Sequence, residues 1–188
     1  IDGYGDHGEL HRVGRRQRQM CIRDRHKKVL QALKQAEYLT PRYHVVVTNP
    51  PYVGNKGLNA DLKKFAKENY PDSKSDLYAM FIERNMELTE EGGFIGMMTS
   101  NTWMFLSSYE KVRSKLLNEG TIITLVRPEL HAFFDSAYVS ICAFVLFQKY
   151  LPNYRGAYID LTKFYGADIQ APKTLETIRN YNKYITEA

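Results

Sequence analysis

At 188 residues the chain is long enough for one ordinary domain with its own core. Its 44% hydrophobic and 25% charged residues exclude a disordered chain, and its longest apolar run, about Val139 to Phe147, is too short to span a bilayer. The net charge of +5 permits a nucleic-acid partner without requiring one, and its two cysteines, Cys21 and Cys142, show no metal-ligand spacing and fit a reducing cytoplasm.

The first segment stands apart from the rest. Gly3-Tyr4-Gly5-Asp6-His7-Gly8 has the glycine spacing of a nucleotide-binding turn, but such a turn needs a strand before it and a helix after it, and neither is expected here. Residues 11–25 hold six arginines with no apolar periodicity. They read as a basic arm or as non-native sequence, and RRQRQMCIRDR resembles a translated sequencing-library adapter. Residues 1–25 are therefore set aside as non-native. Without them 20 basic residues face 17 acidic ones, so the arm supplies +2 of the +5 and the remainder carries +3.

From His26 a helix is expected, with Val29, Leu30, Leu33 and Ala36 on one face and Pro41 closing it. Tyr43–Thr48 reads as a short buried strand, apolar at successive positions as parallel strands are. A polar, lysine-rich stretch follows to Pro71, with a short helix expected over 58–69 that turns Leu62 and Phe65 inward. Asp76–Glu91 is amphipathic through Leu77, Met80, Phe81 and Leu88, and Gly92-Gly93 is its expected stop. Phe94–Ser100 reads as a second strand. Ser107 and Glu110 have capping-box spacing for a helix to Asn118, with Gly120 beyond it. Strands over 121–126 and 140–149 come next, and Tyr154–Leu161 reads as an isolated strand in a looser tail. The order β-α-β-α-β and a further strand is that of a layered α/β sheet.

One turn carries the chemistry. Asn49-Pro50-Pro51-Tyr52 directly follows the first strand, which must stop there because two prolines cannot extend a ladder. Asn49 precedes a proline and is held extended. A carboxamide, a carbonyl and a phenol ring in one stiff frame suit an amino group on a flat heteroaromatic ring. Ligands in open α/β sheets sit beyond the carboxyl ends of strands, where this turn lies. The other reading of the four residues is a plain turn leaving a strand. Asp76 and Glu83 read as helix surface or cap, Trp103 as core, Cys142 as an inert strand thiol, and His44 and His131 have no metal-ligand partners at useful spacing.

Asn49-Pro50-Pro51-Tyr52 matches the catalytic motif of S-adenosylmethionine-dependent amino-group methyltransferases. The longer stretches VVVTNPPYVGNKG, NYPDSKSDLYAMFIERNMEL, GGFIGMMTSNTWMFLSSYEKVRSKLL and QAPKTLETI resemble the adenine-specific DNA methyltransferases of phage-exclusion (BREX) systems, the PglX type. The resemblance covers roughly residues 26–188. It implies a Rossmann-like S-adenosylmethionine-dependent methyltransferase fold, of which residues 26–150 would be the C-terminal half and 151–188 the start of a connection to a target-recognition region. It implies transfer of a methyl group to adenine N6 in double-stranded DNA, without a metal, in the cytoplasm, alongside other BREX proteins. Asn49 and Pro50 would bind the target amine and Tyr52 would stack on the base. Pro51 would line the base pocket. In related enzymes an aromatic lies five residues before a valine opening a late strand; Phe134 and Val139 have that spacing, though Phe134 reads equally as core. The Gly54–Gly57 loop would close over the site, and Lys56, Lys63, Lys64 and Lys67 would meet phosphate or simply be solvated. The family's glycine-rich donor-binding turn is not found in residues 1–25, so the expected picture is a fragment that is inactive alone. The same four residues also occur in methyltransferases acting on RNA or protein glutamine, and a non-catalytic DNA-binding component is the remaining alternative.

Overall fold

The computed structural model describes residues 7–130 and 140–186, with side chains over 22–130 and 140–180. Two units divide at Pro41.

The first unit holds one helix, α1 (His7–Leu39). It runs through the arginine-rich segment, which had been set aside as non-native for want of apolar periodicity, and it supplies the helix thought missing after Gly8. The reason is local: Arg, Gln, Met, Lys and Leu are good helix formers, and no proline interrupts them before Pro41. Val29, Leu30 and Leu33 are 56%, 45% and 61% exposed, so the face they share is not a buried one. Thr40 donates to the Ala36 carbonyl at 2.6 Å and finishes the last turn.

The second unit is a five-stranded mixed sheet with helices on it. In chain order it contains β1 (Tyr43–Thr48), α2 (Ala60–Asn69), α3 (Leu77–Leu88), β2 (Thr89–Ser100), α4 (Glu110–Glu119), β3 (Thr121–Arg127), β4 (Ile141–Phe147), β5 (Ala157–Asp160) and α5 (Ala167–Thr186). The sheet order is β1-β2-β4-β3-β5. β1 and β2 are parallel, β4 runs against both β2 and β3, and β5 is parallel to β3. The tail strand expected to be isolated is therefore a sheet member, pairing Thr124 with Ala157 through to Arg127 with Asp160.

Alternation along the strands fixes two faces. Ile95 and Met97 of β2, Leu125 of β3 and Phe144 and Leu146 of β4 point to one face, where Tyr78, Ile82 and Met86 of α3 and Val112 and Leu116 of α4 cover them. Ile82, Ile95, Leu116 and Leu146 are each 1% exposed or less, and burial of such side chains contributes roughly 1.5–3 kcal/mol apiece. α3 is buried on a second side too, because Met80 packs with Leu58 and Ala66 of the α2 region. Leu62, as expected, and Ala66 are the inward residues of α2, whereas Phe65 is 49% exposed. The opposite sheet face meets α5 across a cavity of about 530 Å³ lined by Met98, Val126, Ile141 and Ala143 from the strands.

β1 departs from its expected burial. It is an edge strand among the described residues, with Val45 59% and Val47 75% exposed. The α3–β2 junction also differs. Thr89 already pairs with Tyr43, then β2 bulges so that Val45 meets Phe94. Gly92 takes φ +79° in that bulge, and a Cβ on Gly93 would stand 2.7 Å from the His44 carbonyl oxygen. The glycine pair thus serves strand pairing, not helix termination. The capping box is absent as well: Ser107–Tyr109 form a separate short turn, and the first residue of α4 has no side-chain cap.

Candidate active site

The turn at the end of β1 is held from below. Thr48 Oγ1 accepts from Asn85 Nδ2 at 2.7 Å, and Asn85, on α3, is 1% exposed. A buried carboxamide bound to the last strand residue fixes where Asn49 begins. Asn49 is exposed, Pro50 buried, Pro51 exposed and Tyr52 half-buried against the core. The Tyr52 hydroxyl donates to Asn49 Oδ1 at 3.4 Å, near the outer limit for such a bond. That oxygen keeps acceptor capacity, because an amide oxygen has two lone pairs.

Tyr52 rests on a second tyrosine. Its ring meets the Tyr78 ring edge-on, with centroids 6.2 Å apart and planes at 86°. Tyr78 is 1% exposed, and its hydroxyl is 2.8 Å from Thr102 Oγ1, which is 3.0 Å from Ser100 Oγ. Tyr109 also packs against Tyr78, ring centroids 6.0 Å apart. Burial pushes the phenols of Tyr52, Tyr78 and Tyr109 above their ordinary range, so all three are neutral donors at physiological pH.

The stretch after Tyr52 is tied down. Leu77 N donates to the Val53 carbonyl at 3.0 Å, Asn55 N donates to Ser75 at 3.0 Å, and Gly54 bridges to Asp76. Asp76 caps α3 by accepting from Tyr78 N at 3.2 Å, as expected of a cap; burial raises its carboxyl pKa, opposed by the backbone N–H groups around it. The Gly54–Gly57 segment is therefore pinned at Gly54 and Asn55 to the residues that open α3.

Asn49 and Tyr52 are joined by the hydrogen bond between their side chains, with Pro51 exposed between them, while Phe134, Val139 and His131 lie outside the described residues. Lys56, Lys63, Lys64 and Lys67 are exposed. The His44 imidazole meets Glu90 at 3.2 Å, Trp103 is 3% exposed and donates to Thr99 Oγ1 at 3.1 Å, and the buried Cys142 thiol has a raised pKa through desolvation. No metal-binding cluster occurs among the described residues. Tyr78, Thr102 and Asn85 were not singled out from sequence. Their signal was thin: Tyr78 sits four residues before Ile82 on α3, so the period alone could have turned it inward.

Beside Asn49 a concavity of about 410 Å³ opens along the sheet face opposite α3 and α4, lined by Val47, Thr48, Asn49, Gly96, Met98, Ala143 and their neighbours. Thr48, Asn49 and Thr124 are its polar side chains, and none of its lining residues is charged.

Residues 13–134 match the model of the Eco57I restriction-modification methylase family. The chain is 50% identical over 101 residues to the adenine-specific methyltransferase BrxX of Escherichia coli O9:H4 (strain HS), covering 54% of this chain and 8% of that protein. It is 36% identical over 146 residues to the adenine-specific methyltransferase PglX of Lacticaseibacillus casei (strain Zhang), covering 77% of this chain and 12% of that protein. The chain thus spans about a tenth of the length of these relatives. Among solved structures, the type I restriction-modification system methyltransferase subunit from Streptococcus thermophilus superposes with a TM-score of 0.53 at 18% identity, over 73% of this chain and 32% of that one. At that identity the likeness is one of fold: a Rossmann-like methyltransferase sheet, as expected.

Proposed function

The chain belongs to the Eco57I restriction-modification methylase family, and from that premise we propose that it forms the target-base pocket of an enzyme that methylates adenine N6 in double-stranded DNA. The observation that carries this reading is the Asn49–Tyr52 turn at the carboxyl end of β1, in a chain half identical over 101 residues to a protein named for adenine-specific methylation. Adenine N6 is a weak nucleophile because its lone pair is delocalised into the ring. The Asn49 side-chain oxygen and the Pro50 carbonyl accept its two hydrogens and stabilise the positive charge that develops on nitrogen. Tyr52 and Pro51 face the base once it leaves the duplex, and stacking on an aromatic ring returns roughly 1–3 kcal/mol of the unstacking cost. Holding the amine in line is then the main task left to these residues.

S-adenosylmethionine supplies an already activated sulfonium methyl in this class. The concavity beside Asn49 has no charged side chain to meet a donor's ribose hydroxyls or amino-acid end, so the described residues do not by themselves make a donor site. The donor pocket, the DNA-recognition surface and any companion proteins of a phage-exclusion (BREX) system belong to the longer enzyme in this proposal. No helix among the described residues is long and apolar enough to cross a membrane.

The test is transfer from labelled S-adenosylmethionine by the full-length enzyme, offered host DNA, total RNA and a release factor in parallel. Label is expected in DNA, as N6-methyladenine. Label confined to RNA or to protein would contradict the proposal and favour the other users of the same four-residue motif.

A further inference from the structure

Tyr52 is only half-buried and lies four residues beyond the end of β1, outside any helix or strand. Its own hydroxyl makes only the long 3.4 Å bond to Asn49, so the packing behind the ring bears on its angle. What fixes it lies behind it. Tyr78 meets it edge-on, the arrangement aromatic pairs prefer because the positive ring edge meets the negative face. Tyr78 in turn is held at both ends. Its backbone N–H is capped by Asp76, and its hydroxyl ends on Thr102 Oγ1 at 2.8 Å. Thr102 is itself held in place. Ser100 Oγ stands 3.0 Å from Thr102 Oγ1 and accepts from Thr102 N at 3.3 Å. The loop that carries Thr102 is clamped where Arg113 Nη1 donates to the carbonyls of Trp103 at 2.8 Å and Leu106 at 2.6 Å. Three separate chain segments, the β1 turn, α3 and the loop after β2, therefore converge on one phenol.

We propose that Tyr78 is a positioning residue: its hydrogen bond to Thr102 holds it in the place from which it sets the ring of Tyr52 for the target base. This rests on the functional reading above and names how the pocket keeps its shape. Deleting the hydroxyl (Tyr78→Phe) or its partner (Thr102→Val) removes the Tyr78–Thr102 bond with almost no change of volume; Thr102→Val also removes the contact with Ser100 Oγ, whereas Thr102→Ser keeps both.

Two measurements test the proposal. The first needs no activity: fluorotyrosine at position 52 is followed by fluorine NMR in the full-length enzyme. One narrow line is expected in the parent and in Thr102→Ser, and a shifted or broadened line in Tyr78→Phe and Thr102→Val. The second is the single-turnover methylation rate on DNA with enzyme in excess, which is insensitive to a partly unfolded fraction. Tyr78→Phe and Thr102→Val are each expected to slow transfer about ten-fold, because small misplacements of a bound reactant are costly. The double variant should be slowed by clearly less than the product of the two single effects, since both remove the Tyr78–Thr102 bond. A fluorine line unmoved by either variant overturns the proposal. So does a wild-type rate in either variant, or a double variant slowed by the product of the two effects. A parent enzyme that never methylates DNA would instead sink the functional reading, and the fluorine line would still decide whether Tyr78 holds Tyr52.

Discussion

Asn85 has no part in the proposed chemistry, yet it decides where the chemistry sits. Its buried carboxamide donates to Thr48, one residue before Asn49, and its backbone carbonyl accepts from Thr89 at 2.7 Å, where β2 begins. One residue of α3 therefore joins the ends of two neighbouring strands. Asn85→Ala removes the bond and leaves a small void, which should cost about 1–3 kcal/mol in a urea titration. Asn85→Asp should cost more, because it places a carboxylate in a site with 1% exposure, even though the Thr48 hydroxyl can turn to donate to it. If the alanine variant is as stable as the parent, the Thr48 bond does not hold the strand end. The sequence did not single out this residue. A lone asparagine in an apolar helix face reads as an interruption until its partner on another element is known.

At the scale of elements, the α3–β2 junction shows most clearly what a pattern reveals and where it fails. Two consecutive glycines after an amphipathic run read as a helix stop, but the helix ends at Leu88 and the glycines lie in a strand bulge. The bulge needs them for different reasons: Gly92 for a left-handed backbone, Gly93 for the close approach of His44. Gly93→Ala should cost roughly 1–3 kcal/mol, since a backbone carbonyl 2.7 Å away cannot move without disturbing the β1–β2 pairing. Gly92→Ala meets no atom within 4 Å and should cost only the left-handed strain, about 1–2 kcal/mol. Thermal melts of the two variants check the order, and a harmless Gly93→Ala would remove the close-approach account. Elsewhere periodicity located α2, α3, α4 and the first four strands to within a few residues, because local hydrophobic spacing decides those elements. It could not tell that Val45 and Val47 are exposed, that Phe65 points outward, or that the tail strand pairs with β3. Each of those depends on neighbours distant in the chain.

For the whole molecule, the described sheet has one closed face and one open one. α3 and α4 seal the first, while the second carries the concavities beside Asn49 and beneath α5. The motif stands at the rim between a packed core, which positions Tyr52, and a surface with no charged group of its own for a methyl donor. The motif itself was legible in the sequence because prolines fix a backbone wherever they occur. The tyrosine and threonine behind it were not, because their roles exist only once three segments meet. Phe134, the other residue expected at the base, lies outside the described residues.

The most direct measurement of the central claim is Asn49→Ala in the full-length enzyme, read by long-read sequencing of adenine modification in cells that carry it. The account predicts that site-specific N6-methyladenine disappears, a loss of transfer of at least about a hundred-fold, while DNA affinity and thermal stability stay near those of the parent. Modification persisting at the parent level would contradict it, for then the carboxamide at the end of β1 does not hold the reacting amine.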